Sequence, residues 1–386
     1  MRTHFLSFHV PEITGEEIHA VVETLRSGWL TTGGKVRQLE ADFANYLGCR
    51  HAIAVNSGTA ALHLALDAVG ITEGDEVLVP TLTFAATAEV VLYLKAKPVL
   101  VDCLPDTLNI DPDQIIKAVT PRTKAIMPVH IGGQPCEMDK ILEIARHYDL
   151  KVIEDAAHAL PARYRGKMVG TLGDITCFSF YATKTITTGE GGMATCENPE
   201  WAERMRIMSL HGISKDAWNR YTAEGSWYYE ILYPGYKYNL TDIAAAIGIP
   251  QLQRCDRFWE SRQHYAMLFN KGFADVPEII VPHVAADVQH AWHLYVIQLD
   301  LDRLRIGRNT FIERLKAENI GASVHFIPLH RHPYYRDTFG YRPEHFPNAN
   351  AAFERIVSLP IYPKMTEADV QDVIEAVRKI VRENRR

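Results

Sequence analysis

The chain has 386 residues, 47% of them apolar and 23% charged, and a net charge of −6 at pH 7. That is enough for a large buried core, and it offers neither a basic field for nucleic acid nor a polybasic patch for a membrane surface. No apolar run approaches the ~18 residues of a membrane span, Met1-Arg2-Thr3-His4-Phe5 does not open a secretory signal, and six scattered cysteines without a CxxC pair read as reduced thiols of a cytoplasmic protein.

Ile18, Val21, Val22 and Leu25 recur at helical spacing, which predicts an amphipathic helix over 15–27 that stops at Gly28. A buried helix is expected from Gly58 to Gly70. Strands and helices then alternate: strand 76–79, helix 85–94, strand 99–102, helix 112–119 behind an Asp111-Pro112 start, strand 125–129, helix 138–148 and strand 151–154. Such alternation implies an α/β fold with a mostly parallel sheet covered on both faces. A helix over 241–254 should kink at Pro250. Beyond it the texture changes to strand 294–299, helix 309–318, strand 322–326 and a last helix opened by the capping box Thr366-Glu367-Ala368-Asp369. The expected organisation is a large domain over 1–250 with an N-terminal arm and a small α+β domain over 251–386. The aromatic segment 217–233 either covers the site or builds an interface.

Lys184 follows a short apolar strand and precedes Thr188-Gly189-Glu190-Gly191-Gly192, where glycines allow close backbone packing. Asp155 ends the apolar strand Lys151 to Glu154, and ligands of open α/β sheets lie at the carboxyl ends of strands. A lysine and an aspartate so placed suit pyridoxal phosphate (PLP). The amine forms a Schiff base with the cofactor aldehyde, and the carboxylate keeps the pyridine nitrogen protonated. Gly58 and Thr59 open a helix whose N-terminus can take a phosphate, although Ser57-Gly58-Thr59 is equally an ordinary helix start. The histidine pairs around His290 and His330 lack a carboxylate or cysteine at ligand spacing, so no metal site is expected. No GxGxxG follows an early strand, which sets a Rossmann dehydrogenase aside.

The motifs Ser27 to Gly33, Asn56 to Leu62, Glu154 to His158, Ser179 to Lys184 and Gly235 to Asp242 occur in one order along the chain. In these the sequence resembles the DegT/DnrJ/StrS-type sugar aminotransferases. The resemblance implies a fold-type-I PLP transferase that moves an amino group from L-glutamate to a nucleotide-linked keto-sugar. The product would be an amino-sugar for surface polysaccharide, lipid A or antibiotic glycosylation. By the same resemblance, His158 meets the cofactor's phenolic oxygen, Gly58, Thr59 and Ser179 hold its phosphate, and Phe84 stacks on its ring. Asn239 reaches the partner's phosphate in a homodimer with shared sites. Trp29, Thr31, Lys237, His325 and His330 border the substrate cleft, although His325 and His330 could equally be packed core histidines. The forms around Lys237 and His293 look most like members that aminate C4, with the sugar a pentose or a 6-deoxy-hexose on UDP or dTDP. Two alternatives are a PLP-dependent sugar dehydratase, against which Lys184 argues, and a non-catalytic regulatory relative.

Overall fold

The computed structural model describes residues 2–214 and 228–386. The strands of its first half are β1 (His51–Val55), β2 (Glu76–Pro80), β3 (Lys97–Val101), β4 (Thr123–Ile126), β5 (Lys151–Asp155), β6 (Arg163–Tyr164), β7 (Lys167–Met168), β8 (Ile175–Ser179) and β9 (Gly192–Cys196). Seven of them build one sheet in the order β1-β9-β8-β5-β4-β2-β3. All pairings from β3 through to β8 are parallel, whereas β9 pairs antiparallel with both β8 and β1. This is the expected mostly parallel sheet, and β2 shows why its strands read as unbroken apolar runs. Val77 and Val79 enter the core beside helices Gly58–Ala68 and Ala86–Tyr93, while Leu78 enters the opposite core beside helix Met138–Tyr148. Both faces are therefore buried.

A smaller antiparallel sheet joins Ile279–Ile280, Tyr295–Leu299 and Ile356–Leu359. Helices Cys255–Phe273, Arg308–Ala317 and Glu367–Asn384 pack around it through Phe269, Phe311, Val373 and Val377. The last helix starts at the expected capping box: Asp369 N–H donates to Thr366 Oγ1 at 3.2 Å, and Thr366 N–H donates to Asp369 Oδ2 at 2.8 Å. The N-terminal arm belongs to this core as well, because Leu6 is buried in it and bridges Ile320.

Two expectations change, and the helix around Pro250 forms as expected. Segment 322–326 is not a strand. It makes one isolated bridge, Ser323 to Ser358, and then leaves the sheet edge to bring His325 and Phe326 to a cavity. Helix Asp242–Gln253 contains Pro250 and ends at Arg254, after which Cys255–Phe273 starts afresh, so residue 250 lies inside a helix. Pro250 has no N–H to bond the preceding turn, which weakens the helix where it stops. Helix Gly15–Ser27 forms as expected and ends at Gly28 with φ 76°, but it buries Glu17 and Thr24 instead of its apolar stripe. Ile18 stays 60% and Leu25 51% exposed. The cause is polar: Glu17 accepts from Gln251 Nε2 at 2.7 Å and pairs with Arg254, which turns the stripe outward.

Candidate active site

A cavity of about 420 Å³ opens at the carboxyl ends of β1, β2, β4, β5 and β8. Asp155 closes β5, near the middle of the sheet, and its side chain lines the cavity. Thr87 Oγ1 donates to its Oδ2 at 2.8 Å and Ala157 N–H to its Oδ1 at 3.2 Å. Thr83 and Thr87 hydroxyls are 2.8 Å apart, so the carboxylate is aimed by a relay of two threonines. Burial raises the Asp155 pKa, and the two hydrogen bonds and nearby Lys184 work against that rise.

Lys184 leaves β8 through a tight turn in which its N–H donates to Tyr181 O at 2.9 Å. Lys184 is half-buried at the cavity wall, and burial pulls its pKa from 10.5 to about 8, with Asp155 partly restoring it. The glycines after it behave as expected. A Cβ on Gly192 would lie 2.5 Å from Ser57 O, so β9 packs backbone to backbone under the start of helix Gly58–Ala68.

Ser57 caps that helix, with Ala60 N–H donating to its Oγ at 3.0 Å. The first N–H groups of any helix have no partner within it. Here they open onto the cavity beside Ser179, and a Cβ on Gly58 would come 2.9 Å from the Ser179 Cβ. His158 lies between His293, at 4.4 Å between ring centres, and Phe326, at 5.8 Å. Gly132 N–H donates to its Nδ1 at 3.3 Å, which assigns the proton of the neutral ring to Nε2. Burial, with Lys184 nearby, keeps His158 uncharged. Phe84 stands at the rim, 61% exposed.

The structure thus gathers Gly58, Thr59, Phe84, Asp155, His158, Ser179, Lys184 and His325 around one cavity. Trp29, Thr31, Lys237, His330 and Asn239 lie away from its walls. Trp29 donates its indole N–H to Thr32 O at 3.1 Å, and Thr31 O accepts from Asp242 N–H at 3.2 Å, so both brace the start of helix Asp242–Gln253. His330 is a buried core histidine, 2.8 Å from Thr81 Oγ1 and stacked on Phe346. Asn239 donates to Thr32 Oγ1 at 2.7 Å, pairs with Lys237, and faces a second hollow. Of segment 217–233, residues 217–227 lie outside the described residues, and Tyr228 to Tyr233 are exposed. Phe8, His9, His293 and Ser323 also line the cavity and escape sequence reasoning. They come from the arm and from the C-terminal part, and no spacing links them to Lys184. Among the described residues no group of three or more His, Cys, Asp or Glu is placed to hold a metal, and no helix is long and apolar enough to cross a membrane.

Residues 11–378 match the DegT/DnrJ/EryC1/StrS aminotransferase family. The chain belongs to that family. Its relatives include spore coat polysaccharide biosynthesis protein SpsC of Bacillus subtilis, 53% identical over 99% of this chain and 98% of SpsC. An uncharacterized protein of Methanocaldococcus jannaschii, MJ1066, is 56% identical over the full length of both. Among solved structures, the putative sugar aminotransferase Spr1654 of Streptococcus pneumoniae in its PLP form superposes with a TM-score of 0.91 at 34% identity, covering 98% of this chain and 99% of that one. Its PMP form gives 0.92 at 35% identity, over 98% and 99%.

Membership makes this chain a fold-type-I, PLP-dependent aminotransferase. The residues present fit the cofactor. A helix N-terminus free of bulky side chains faces an alcohol, a half-buried amine of lowered pKa stands near a carboxylate, and that carboxylate has room on the cavity side for another partner.

Proposed function

We propose that the protein transfers an amino group from L-glutamate to a nucleotide-linked keto-sugar, a 4-keto sugar on UDP or dTDP. The observation that carries this reading is that Asp155, at the end of β5, and Lys184, in the turn beyond the neighbouring strand β8, line one cavity. Relatives named for sugar amination and for polysaccharide synthesis support the sugar as acceptor.

Bound here, PLP supplies an aldehyde that an amine can hold and a ring that accepts electrons from a carbanion. The chain's own groups do the rest. Lys184 would hold the cofactor through its amine and, when that amine is free, would move a proton as a base. A pKa near 8 leaves a useful neutral fraction at physiological pH, where an ordinary lysine would be almost wholly charged. Asp155 holds a proton on the ring nitrogen, and the Thr83–Thr87 relay orients it. His158 Nε2–H would donate to the ring's phenolic oxygen. Gly58, Thr59 and Ser179 would take the phosphate, and Phe84 would cover one ring face.

The reading includes a homodimer in which Asn239 serves the partner's phosphate. Three features support it: Asn239 lies off the walls of its own cavity, Ile18 and Leu25 of the apolar stripe are exposed, and Phe84 and Tyr181 are exposed at the rim. Six free cysteines, five of them buried, suit a reducing cytoplasm. The test is to incubate the purified protein with L-glutamate and UDP- or dTDP-linked 4-keto-6-deoxy-hexose. The expected products, by mass spectrometry, are 2-oxoglutarate and the amino-sugar nucleotide. Amino transfer to free keto-acids alone, with none to any nucleotide sugar, would overturn the reading.

A further inference from the structure

A second buried carboxylate stands behind Asp155. Glu154 and Asp155 end β5 together, and consecutive side chains of a strand leave it on opposite faces. Asp155 lines the cavity, whereas Glu154 lies off its walls and is fully buried. Glu154 Oε1 accepts from Gly173 N–H at 2.8 Å and from Thr176 Oγ1 at 2.7 Å. Its Oε2 meets His130 Nε2 at 2.9 Å. Cys136 N–H donates to Nδ1 of the same ring at 3.0 Å, so the proton of His130 sits on Nε2 and is donated to Glu154. Burial opposes a second proton on this ring, and Cys136 and Glu154 favour one. The Cys136 N–H already occupies Nδ1, however, so the ring is neutral.

The ring of His130 closes a turn that faces His158. His130 N–H donates to Asp155 O at 3.2 Å, and two residues later Gly132 N–H donates to His158 Nδ1 at 3.3 Å. Gly132 and Gly133 have φ of 63° and 104°, and a Cβ on Gly133 would lie 2.8 Å from His158 O. The turn is one short 3-10 stretch, Ile131–Gly133, with too few bonds of its own to fix the direction of its amides. What ties its start is the His130 ring, held by Glu154 on one side and by Cys136 beyond the turn on the other. The contacts thus run from Glu154 through His130 and the turn back to His158, four residues further along the same segment.

We propose that His130 and Glu154 are positioning residues: their hydrogen bond holds the Gly132 N–H on His158 Nδ1 and so keeps the single proton of His158 on Nε2, the nitrogen away from the turn. Neither residue reaches the cavity; both act through His158. Without this clamp Nδ1 is released, and a neutral imidazole then carries its proton on either nitrogen. The inference rests on the reading in which His158 Nε2–H meets the cofactor's phenolic oxygen.

The test uses the PLP-loaded protein as wild type, Glu154→Gln and His130→Gln. Glu154→Gln keeps the shape, but with its oxygen held by Gly173 and Thr176 its amide N–H meets His130 Nε2–H, donor against donor. His130→Gln keeps a donor for Glu154 and loses the ring that reaches Cys136. Histidine 15N NMR, with His158 assigned through His158→Gln, should show the Nε2–H tautomer alone in wild type and a mixture of tautomers in both variants. A donor on the phenolic oxygen weakens that oxygen's hold on the proton of the lysine–cofactor link. The pH at which the bound cofactor's absorbance changes should therefore rise in both variants, by about one unit in Glu154→Gln, the worth of one hydrogen bond. Lys184, His293 and His325, the titratable groups that face His158, are the same in every chain. Glu76→Gln, a buried carboxylate at the amino end of β2, is the control: it should lower the melting temperature and move neither readout. A wild-type His158 with its proton on Nδ1, or a folded Glu154→Gln with both readouts unmoved, overturns the proposal. A tautomer mixture with an unmoved absorbance upholds the positioning role and instead fails the reading in which His158 meets the phenolic oxygen.

Discussion

At the scale of single residues, the same burial that prepares the site destabilises the cofactor-free fold. Lys184 holds its proton at about 8 in the native chain and 10.5 when unfolded. Below pH 8 both states are protonated, and the full cost of a half-buried ammonium is present. Between pH 8 and 10.5 the native state releases its proton first, so stability rises with pH, and above that range the cost is gone. The gap is worth about 3 kcal/mol. Denaturant titration of the PLP-free protein should therefore show wild-type stability gaining on Lys184→Met as pH rises from 8 to 10; a constant difference would contradict an amine of lowered pKa. Lys184→Ala should keep the fold, abolish turnover, and bind PLP without the absorbance of a lysine-bound aldehyde. Asp155 makes the complementary case. Asp155→Asn removes a carboxylate that burial already disfavours. The PLP-free variant should be no less stable than wild type, yet its single-turnover reaction with L-glutamate should slow about a thousandfold, because a neutral amide cannot hold the ring proton electrostatically. Near wild-type rates would show that Asp155 does not meet the ring nitrogen.

The elements of the large sheet were legible in the sequence because each obeys a local rule. Strands buried on both faces read as unbroken apolar runs, as in Val77-Leu78-Val79, and helices announce themselves through Asp111-Pro112 and Thr366 to Asp369. The lysine and the aspartate were legible for a related reason: Asp155 ends such a strand, and Lys184 lies in the turn that follows one. What local rules miss is set by distant partners. Glu17 pairs with Arg254 and so turns the apolar face of helix Gly15–Ser27 outward, a choice that periodicity cannot report. Segment 322–326 has strand-like residues but serves the cavity, and His330, in the same neighbourhood, turns into the core against Thr81. His9 reaches the site only because residues 2–6 are tied to the C-terminal core. The helix start proposed to take the phosphate gives its own prediction. Gly58→Ala places a methyl 2.9 Å from the Ser179 Cβ, so the helix start and β8 must separate. PLP retention after dialysis should fall at least tenfold while the melting temperature changes little. Full retention would move the phosphate away from this helix.

For the whole molecule, the proposed shared site makes the sharpest demand. Within one chain Asn239 is bound to Thr32 and Lys237, beside a hollow separate from the Lys184 cavity. That placement leaves its own cavity without it, and the exposed Ile18 and Leu25 and the rim aromatics leave apolar surface of the kind an obligate interface covers. Two inactive chains test the arrangement. Lys184→Ala lacks the amine. Asn239→Asp brings a negative charge to the phosphate it is proposed to serve, and should bind PLP poorly through like-charge repulsion. If Asn239 acts across the interface, a mixed dimer pairs the two defects in one site and leaves the other with wild-type Lys184 and wild-type Asn239. Each mixed dimer should then recover toward half the activity of a normal dimer, and its rescued site should show normal PLP absorbance. Subunit exchange is checked independently with differently tagged chains. Exchange without any return of activity would place Asn239 in its own chain's site, since every site of the mixture would then carry one defect.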